Sequence, residues 1–161
     1  MTRIIGGRVG GRRIATPRGV STRPTSDRVR EALFSRLEHL EVLLGARVVD
    51  LYAGSGALGL EAASRGASSV LLVESDKSAA KVAQQNAGAL GMPGITVRHT
   101  TVQRTLAAAP AQPQTLVFLD PPYELSEEEL AADLAGLVDQ QWLDPEALVL
   151  AERSSRSPEP A

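Results

Sequence analysis

From Gly45 onward the chain alternates two kinds of stretch. Short runs rich in Val, Leu and Ile, at 47–52, 69–74, 95–100, 115–120 and 147–152, read as strands of a parallel sheet. Between them lie helix-forming stretches at 57–65, 77–90, 101–108 and 127–138. Gly91 follows the second of these as a C-cap residue, and Ser126 with Glu129 forms a capping box in front of the last. Strands that alternate with helices predict βαβ units and a doubly wound, Rossmann-like α/β sheet. Upstream, Val29, Leu33, Leu37 and Leu40 predict one apolar stripe on a helix that starts after Pro24. Thr25, Ser26 or Asp27 can cap it, and Arg28 and Arg30 lie off the stripe, free for a ligand. The first 20 residues lack such a period. Ile4-Ile5 and Arg13-Ile14 read as short strands, and Gly6-Gly7 and Gly10-Gly11 as turns or points of close approach, together an irregular hairpin.

Composition narrows the class. A chain of 161 residues with 43% hydrophobic content predicts one globular domain. No apolar run approaches the ~20 residues of a membrane span, the N-terminus lacks the apolar region of a signal peptide, and there is no cysteine for disulfides or thiolate metal sites. A cytoplasmic monomer is expected. His39 and His99 have no ligand partner at metal spacing, so no metal is expected either. Trp142 reads as a packing anchor.

Charge changes the picture more than composition does. Residues 1–36 carry nine arginines against Asp27 and Glu31, +7, whereas the chain as a whole carries −2, leaving −9 for residues 37–161. A basic end on an acidic body suggests an arm for a polyanion, and arginine suits fork contacts to phosphate. The plainer alternative is a solvated basic tail, or codon bias toward arginine. Three regions follow: a basic hairpin arm at 1–22, an α/β domain at 23–153, and a Ser/Pro-rich tail at 154–161 expected to be disordered.

The candidate chemistry begins at Asp50. Gly54-Ser55-Gly56-Ala57-Leu58-Gly59 matches G-x-G-x-x-G after a predicted strand, and Glu74 stands twenty residues beyond Gly54, where a carboxylate can bind ribose hydroxyls. A dinucleotide oxidoreductase is therefore one reading. Asp50, four residues before the first glycine, counts against it, because a carboxylate there would face a pyrophosphate. S-adenosylmethionine carries a sulfonium and an ammonium and no phosphate, so an acidic residue at the turn favours it. For Asp50 the plainer alternative is a helix-capping carboxylate, and for Glu74 an exposed strand-end acid.

The second motif is Asp120-Pro121-Pro122-Tyr123, at the end of the fourth strand of the series. The lone pair of a planar exocyclic amine is delocalised into its base and attacks poorly. The Asp120 carboxylate and the Pro121 carbonyl can accept the two N–H bonds, orient that lone pair and stabilise the charge that develops. Two prolines stiffen the turn, and Tyr123 offers a face on which a flipped base can stack. The plainer alternative is an ordinary Pro-Pro turn after a buried strand.

With these motifs the chain resembles the family of 16S ribosomal RNA guanine-N2 methyltransferases. The matching pieces are R-I-I-G-G-R at 3–8, R-P-T-S-D-R-V-R-E-A-L-F at 23–34, D-L-Y-A-G-S-G-A-L-G-L-E-A-A-S-R-G-A at 50–67, V-E-S-D at 73–76 and D-P-P-Y at 120–123. The resemblance implies a class I methyltransferase that uses S-adenosylmethionine on one guanine of 16S rRNA, within the 30S subunit or its assembly intermediate. It implies a cofactor site of Asp50, Ala53, Gly54, Ser55, Gly56, Glu74, Ser75, Thr101 and Asp120, a catalytic loop at Asp120–Tyr123, and RNA contacts from Arg3, Arg8, Arg12, Arg13, Arg18, Arg23 and Arg28. Where the family usually has an acidic residue after the third strand this chain has Thr100-Thr101, so adenine contacts fall to backbone or hydroxyl. The family fold usually ends in an antiparallel pair of strands, and five strands before Ser154 leave that pair expected to be absent. A DNA adenine-N6 methyltransferase and a non-catalytic RNA-binding or ribosome-assembly protein are the alternatives, since D-P-P-Y serves either amine. The length leaves no room for the recognition domain a DNA enzyme normally adds.

Overall fold

The alternation of apolar runs and helical stretches resolves into one five-stranded parallel sheet. The structure, a computed structural model, describes residues 2–16, 24–122 and 124–151, and of these not the side chains of 2 and 24–26. In chain order the elements are β1 (Thr2–Arg3), β2 (Arg13–Ile14), α1 (Pro24–His39), β3 (Arg47–Leu51), α2 (Ala57–Ser64), β4 (Ser69–Glu74), α3 (Lys77–Leu90), β5 (Ile95–His99), α4 (Val102–Leu106), β6 (Gln114–Leu119), α5 (Glu127–Asp139) and β7 (Leu143–Ala151). The sheet order is β5-β4-β3-β6-β7. The chain moves outward from β3 to β5, then returns to β3's other side with β6. The strand order therefore reverses between β3 and β6, and ligands of such sheets bind in the crevice at the carboxyl ends there.

Successive side chains of a strand point to opposite faces, and β3 shows it. Val48 joins Leu72, Leu116 and Phe118 under Phe34, Leu37, Leu60 and Ala83 of α1, α2 and α3. Val49 and Leu51 join Val117 and Leu119 under Val102, Leu106, Leu130 and Leu137 of α4 and α5. Trp142 anchors this second layer, 2% exposed, with its Nε1 donating to the Ala108 carbonyl at 2.8 Å. The capping box at Ser126 and the left-handed C-cap at Gly91 form as the local sequence predicts.

Four expectations change. On α1 the buried face is Arg30, Phe34 and Leu37, while Val29 and Leu40 are 58% and 54% exposed. Arg30 is not free for a ligand: it donates to the Arg3 carbonyl and to Asp27, and lies beside the buried Glu61. An arginine belongs on the buried face because a carboxylate waits there. Ile4-Ile5 is not a strand, since β1 is Thr2–Arg3 and pairs antiparallel with β2. β7 starts earlier than its apolar run, at Leu143. Its pairing jumps from Gln114↔Leu143 to Leu116↔Leu148, an irregularity that accommodates Pro145, which has no N–H for the ladder. The described sheet has five strands, all parallel; residues 152–161, including the expected disordered tail, lie outside the described residues.

Candidate active site at the carboxyl ends of β3, β4 and β6

Beyond β3 the chain turns through Tyr52, Gly54 and Gly56, with φ of 62°, 59° and 86°. Glycine adopts this conformation without strain. Tyr52 is anchored there by its hydroxyl, which donates to Asp133 of α5 and accepts from Gln103 Nε2 of α4 at 3.1 Å. Burial, then the bond to Asp133, pushes the phenol above its ordinary pKa. The Gly56 N–H closes the turn on the Ala53 carbonyl, and the Ala53 N–H is held by the Val73 carbonyl, both at 2.9 Å. A β-carbon at Gly54 would meet nothing within 4 Å, so the turn borders open space. At Gly59 a β-carbon would lie 2.3 Å from Leu72 Cδ2, so α2 can rest on the sheet only with glycine there.

Asp50 is 1% exposed, and its Oδ2 accepts the Gly59 N–H at 2.9 Å. It thus caps α2 from the strand, where the N-cap residue Gly56 has no side chain to do so. Burial pushes its carboxyl well above the ordinary carboxylate range; the Gly59 N–H opposes that, and the negative charges of Asp120 and Glu74 add to it. Glu74 accepts from the Gly54 N–H and the Asp76 N–H, both at 2.8 Å. Glu74 and Asp120 thus each oppose a negative charge on Asp50, an arrangement at the glycine turn that favours a cationic ligand and disfavours a phosphate. Among the described residues no group of His, Asp or Glu is arranged to hold a metal ion.

The other predicted residues fall around this centre. Thr101 caps α4, its Oγ1 accepting the Arg104 N–H at 3.0 Å. Ser75 is exposed, and its carbonyl lies 3.0 Å from His99 Nε2. Asp120 is half-buried, Pro121 buried and Pro122 exposed, with the Pro122 carbonyl taken by the Leu125 N–H at 3.0 Å. Tyr123 lies outside the described residues, as do Arg18 and Arg23. Leu51 of β3 is paired with Leu119 of β6, so the glycine turn and the Asp-Pro-Pro turn leave the sheet side by side.

The hairpin is part of the same body. Ile4 and Ile14 are 0% and 2% exposed in the core. Glu61 of α2, fully buried, accepts the Ile5 and Gly6 N–H groups at 2.8 and 2.9 Å and Arg65 Nε at 2.8 Å. Ser64 Oγ accepts the Val9 N–H and donates to the Gly6 carbonyl. Gly7 passes so close that a β-carbon would lie 2.1 Å from the Ser64 carbonyl oxygen. This seating leaves Arg3, Arg8, Arg13 and Arg28 exposed, while Arg12, also exposed, donates to the Ala89 carbonyl at 2.8 Å. Glu61, Asn86 and the Tyr52–Gln103–Asp133 group were not singled out by sequence reasoning. Two of them carry a signal: Glu61 interrupts the apolar run Leu58–Ala63 four residues before Arg65, and Asn86 falls between Ala83 and Leu90 on the apolar face of α3.

A parallel sheet whose order reverses beside a glycine turn, with Asp-Pro-Pro on the adjoining strand, defines a Rossmann-like methyltransferase. Residues 2–161 match the family described as Conserved hypothetical protein 95. Ribosomal RNA small subunit methyltransferase D of Escherichia coli K12 is 39% identical over 150 residues, which span 93% of this chain and 73% of that protein. The protein of the same name from Haemophilus influenzae is 34% identical over 161 residues, spanning 97% of this chain and 80% of its own. The solved structure of the Escherichia coli protein yhhF is 39% identical, with a TM-score of 0.81 over 91% of this chain and 77% of that one. The chain belongs to this family of methyltransferases.

Proposed function

We propose that this protein transfers a methyl group from S-adenosylmethionine to the exocyclic N2 amine of a guanine in 16S rRNA, presented by the 30S subunit or its assembly intermediate. One observation carries the reading: the glycine turn and the Asp120-Pro121-Pro122 turn leave adjoining strands β3 and β6 side by side. Relatives named for small-subunit ribosomal RNA support the polymer.

The residues present suit the donor. Open space borders Gly54, and the acidic surroundings of the turn suit a ligand bearing a sulfonium and an ammonium. Bound there, S-adenosylmethionine supplies a methyl group made electrophilic by its sulfonium. Ala53 to Gly56 offer backbone at the turn. Glu74 has lone pairs left for ribose hydroxyls beyond the two taken by Gly54 and Asp76, and Ser75 and Thr101 flank the adenine. Asp50, too buried for direct contact, acts by holding α2 in place through the Gly59 N–H.

On the acceptor side, the Asp120 carboxylate and the Pro121 carbonyl take the amine's two N–H bonds, since the Pro122 carbonyl is already occupied. The lone pair is thereby turned out of conjugation, and the positive charge growing on nitrogen meets a preorganised acceptor. Pro121 and Pro122 keep that acceptor from swinging. Tyr123 stacks the flipped base. Arg3, Arg8, Arg12, Arg13, Arg18, Arg23 and Arg28 hold phosphates.

The test offers labelled S-adenosylmethionine with, separately, naked 16S rRNA, 30S particles lacking the modification, and duplex DNA. Label on guanine N2 in the particles supports the reading. Label in DNA, or none anywhere, sinks it. Asp120→Ala should lower the transfer rate by about 10²–10³-fold or more, while the donor's dissociation constant, measured by calorimetry, rises by a far smaller factor. A variant that no longer binds the donor would mean that Asp120 serves the donor and not the amine.

A further inference from the structure

We infer that Asn86 is a positioning residue that ties the N-terminal hairpin to the glycine turn, so that seating of the hairpin and binding of the methyl donor strengthen each other. The inference rests on the reading of that turn as the donor's site. Asn86 is 4% exposed on the apolar face of α3. A buried amide must find partners for its polar atoms, and those of Asn86 come from two segments distant in sequence. Its Oδ1 accepts the Ala15 N–H at 2.8 Å, and its Nδ2 donates to the Ala15 carbonyl at 2.9 Å. Nδ2 also donates to the Ser55 carbonyl at 3.0 Å.

The two bonds to Ala15 are those a neighbouring strand would make, and they hold the chain one residue beyond β2. The bond to Ser55 grips the middle peptide of the turn, between Gly54 and Gly56. One planar group therefore sets both segments in register. If residue 15 moves and the amide turns to follow it, Nδ2 swings away from the Ser55 carbonyl and the restraint on the turn is lost. Two further clasps of the hairpin, Glu61 and Ser64, sit on α2, which the same turn opens. Coupling of this kind is reciprocal: what the donor gains from a seated hairpin, the hairpin gains from a bound donor. An RNA that orders the hairpin would in this way tighten the site for the donor.

A double-mutant cycle on the full chain separates this role from simple core packing. Asn86→Asp keeps the shape and the Oδ1 acceptor and loses both donated bonds. Ser64→Ala loosens the hairpin at Gly6 and Val9 without touching Asn86. By calorimetry, Asn86→Asp should weaken S-adenosylmethionine binding about five- to tenfold. Ser64→Ala should weaken it by a smaller factor, and that effect should vanish in the Asn86→Asp background. An equal Ser64→Ala effect in both backgrounds, or unchanged binding by a folded Asn86→Asp protein, overturns the inference. Should Asn86→Asp not fold, hydrogen exchange in Ser64→Ala decides: faster exchange of the Ser55 and Gly56 amides supports the coupling, and unchanged exchange refutes it. A wild-type chain that binds no S-adenosylmethionine refutes the functional reading instead.

Discussion

Asp50 shows how one residue can answer two readings of a sequence. Its position before a glycine turn suggested a partner for a cationic cofactor, with a helix cap as the plainer alternative. The structure gives it the cap, by way of Gly59, and buries it where the charges of Asp120 and Glu74 oppose its ionisation. A pH dependence follows. In the unfolded chain the carboxyl ionises near its ordinary value, and in the folded chain only at higher pH. Between those values the folded state keeps a proton that the unfolded state has released, so stability falls as pH rises. Asp50→Asn retains a carbonyl for the Gly59 N–H and removes the titration. Relative to wild type, its stability in urea should therefore improve as pH climbs from about 4 toward neutrality. Parallel profiles would mean that Asp50 ionises in the folded protein at its ordinary value.

At the scale of elements, what was legible in the sequence was what local chemistry decides. The capping box at Ser126 and Glu129, the left-handed Gly91 and the extent of α3 are each set by residues within a few positions of one another. What was not legible depends on partners far along the chain. The buried face of α1 includes Arg30 because Glu61 stands against it, thirty-one residues on, and no periodicity within α1 carries that information. The hairpin was legible as glycine-punctuated strands, but its seating on α2 through Glu61 and Ser64 was not. Of the candidate site, the carboxylates at strand ends and the two turns were readable from spacing, whereas the Asn86 bridge pairs residues 71 and 31 positions apart. Glu61→Ala would leave the Ile5 and Gly6 N–H groups without their acceptor and Arg65 without a buried partner. Breaking such a pair costs about 3–5 kcal/mol. Urea unfolding should show a loss of that order, and trypsin should cut faster after Arg8 and Arg12 as the hairpin lifts. A loss of global stability with no change in cutting at those sites would show that Glu61 supports the core without holding the hairpin.

For the whole molecule, the question is what the charge split does. The N-terminal 36 residues carry +7 and the rest −9, yet the hairpin is folded against the acidic body. Attraction between the two halves would account for the split if the arginines were paired with the body's carboxylates. Among the described residues Arg8, Arg13 and Arg28 are exposed and have no carboxylate partner, and Arg12 is bonded to a carbonyl. Hydrogen bonds accepted by Glu61 and Ser64 and burial of Ile4 and Ile14 hold the hairpin, which leaves those guanidinium groups available to a polyanion. Each phosphate contact made by such a group releases condensed counterions, and binding then weakens with salt in proportion to the number of contacts. Replacing Arg8, Arg13 and Arg28 together by Ala should therefore reduce the slope of log affinity for 30S particles against log salt by about two units. Arg104→Ala, on α4 across the sheet, should leave it unchanged. Equal slopes for the triple variant and wild type would mean that the basic surface of the hairpin does not meet RNA, and the polymer would have to be held elsewhere on a body whose net charge repels it.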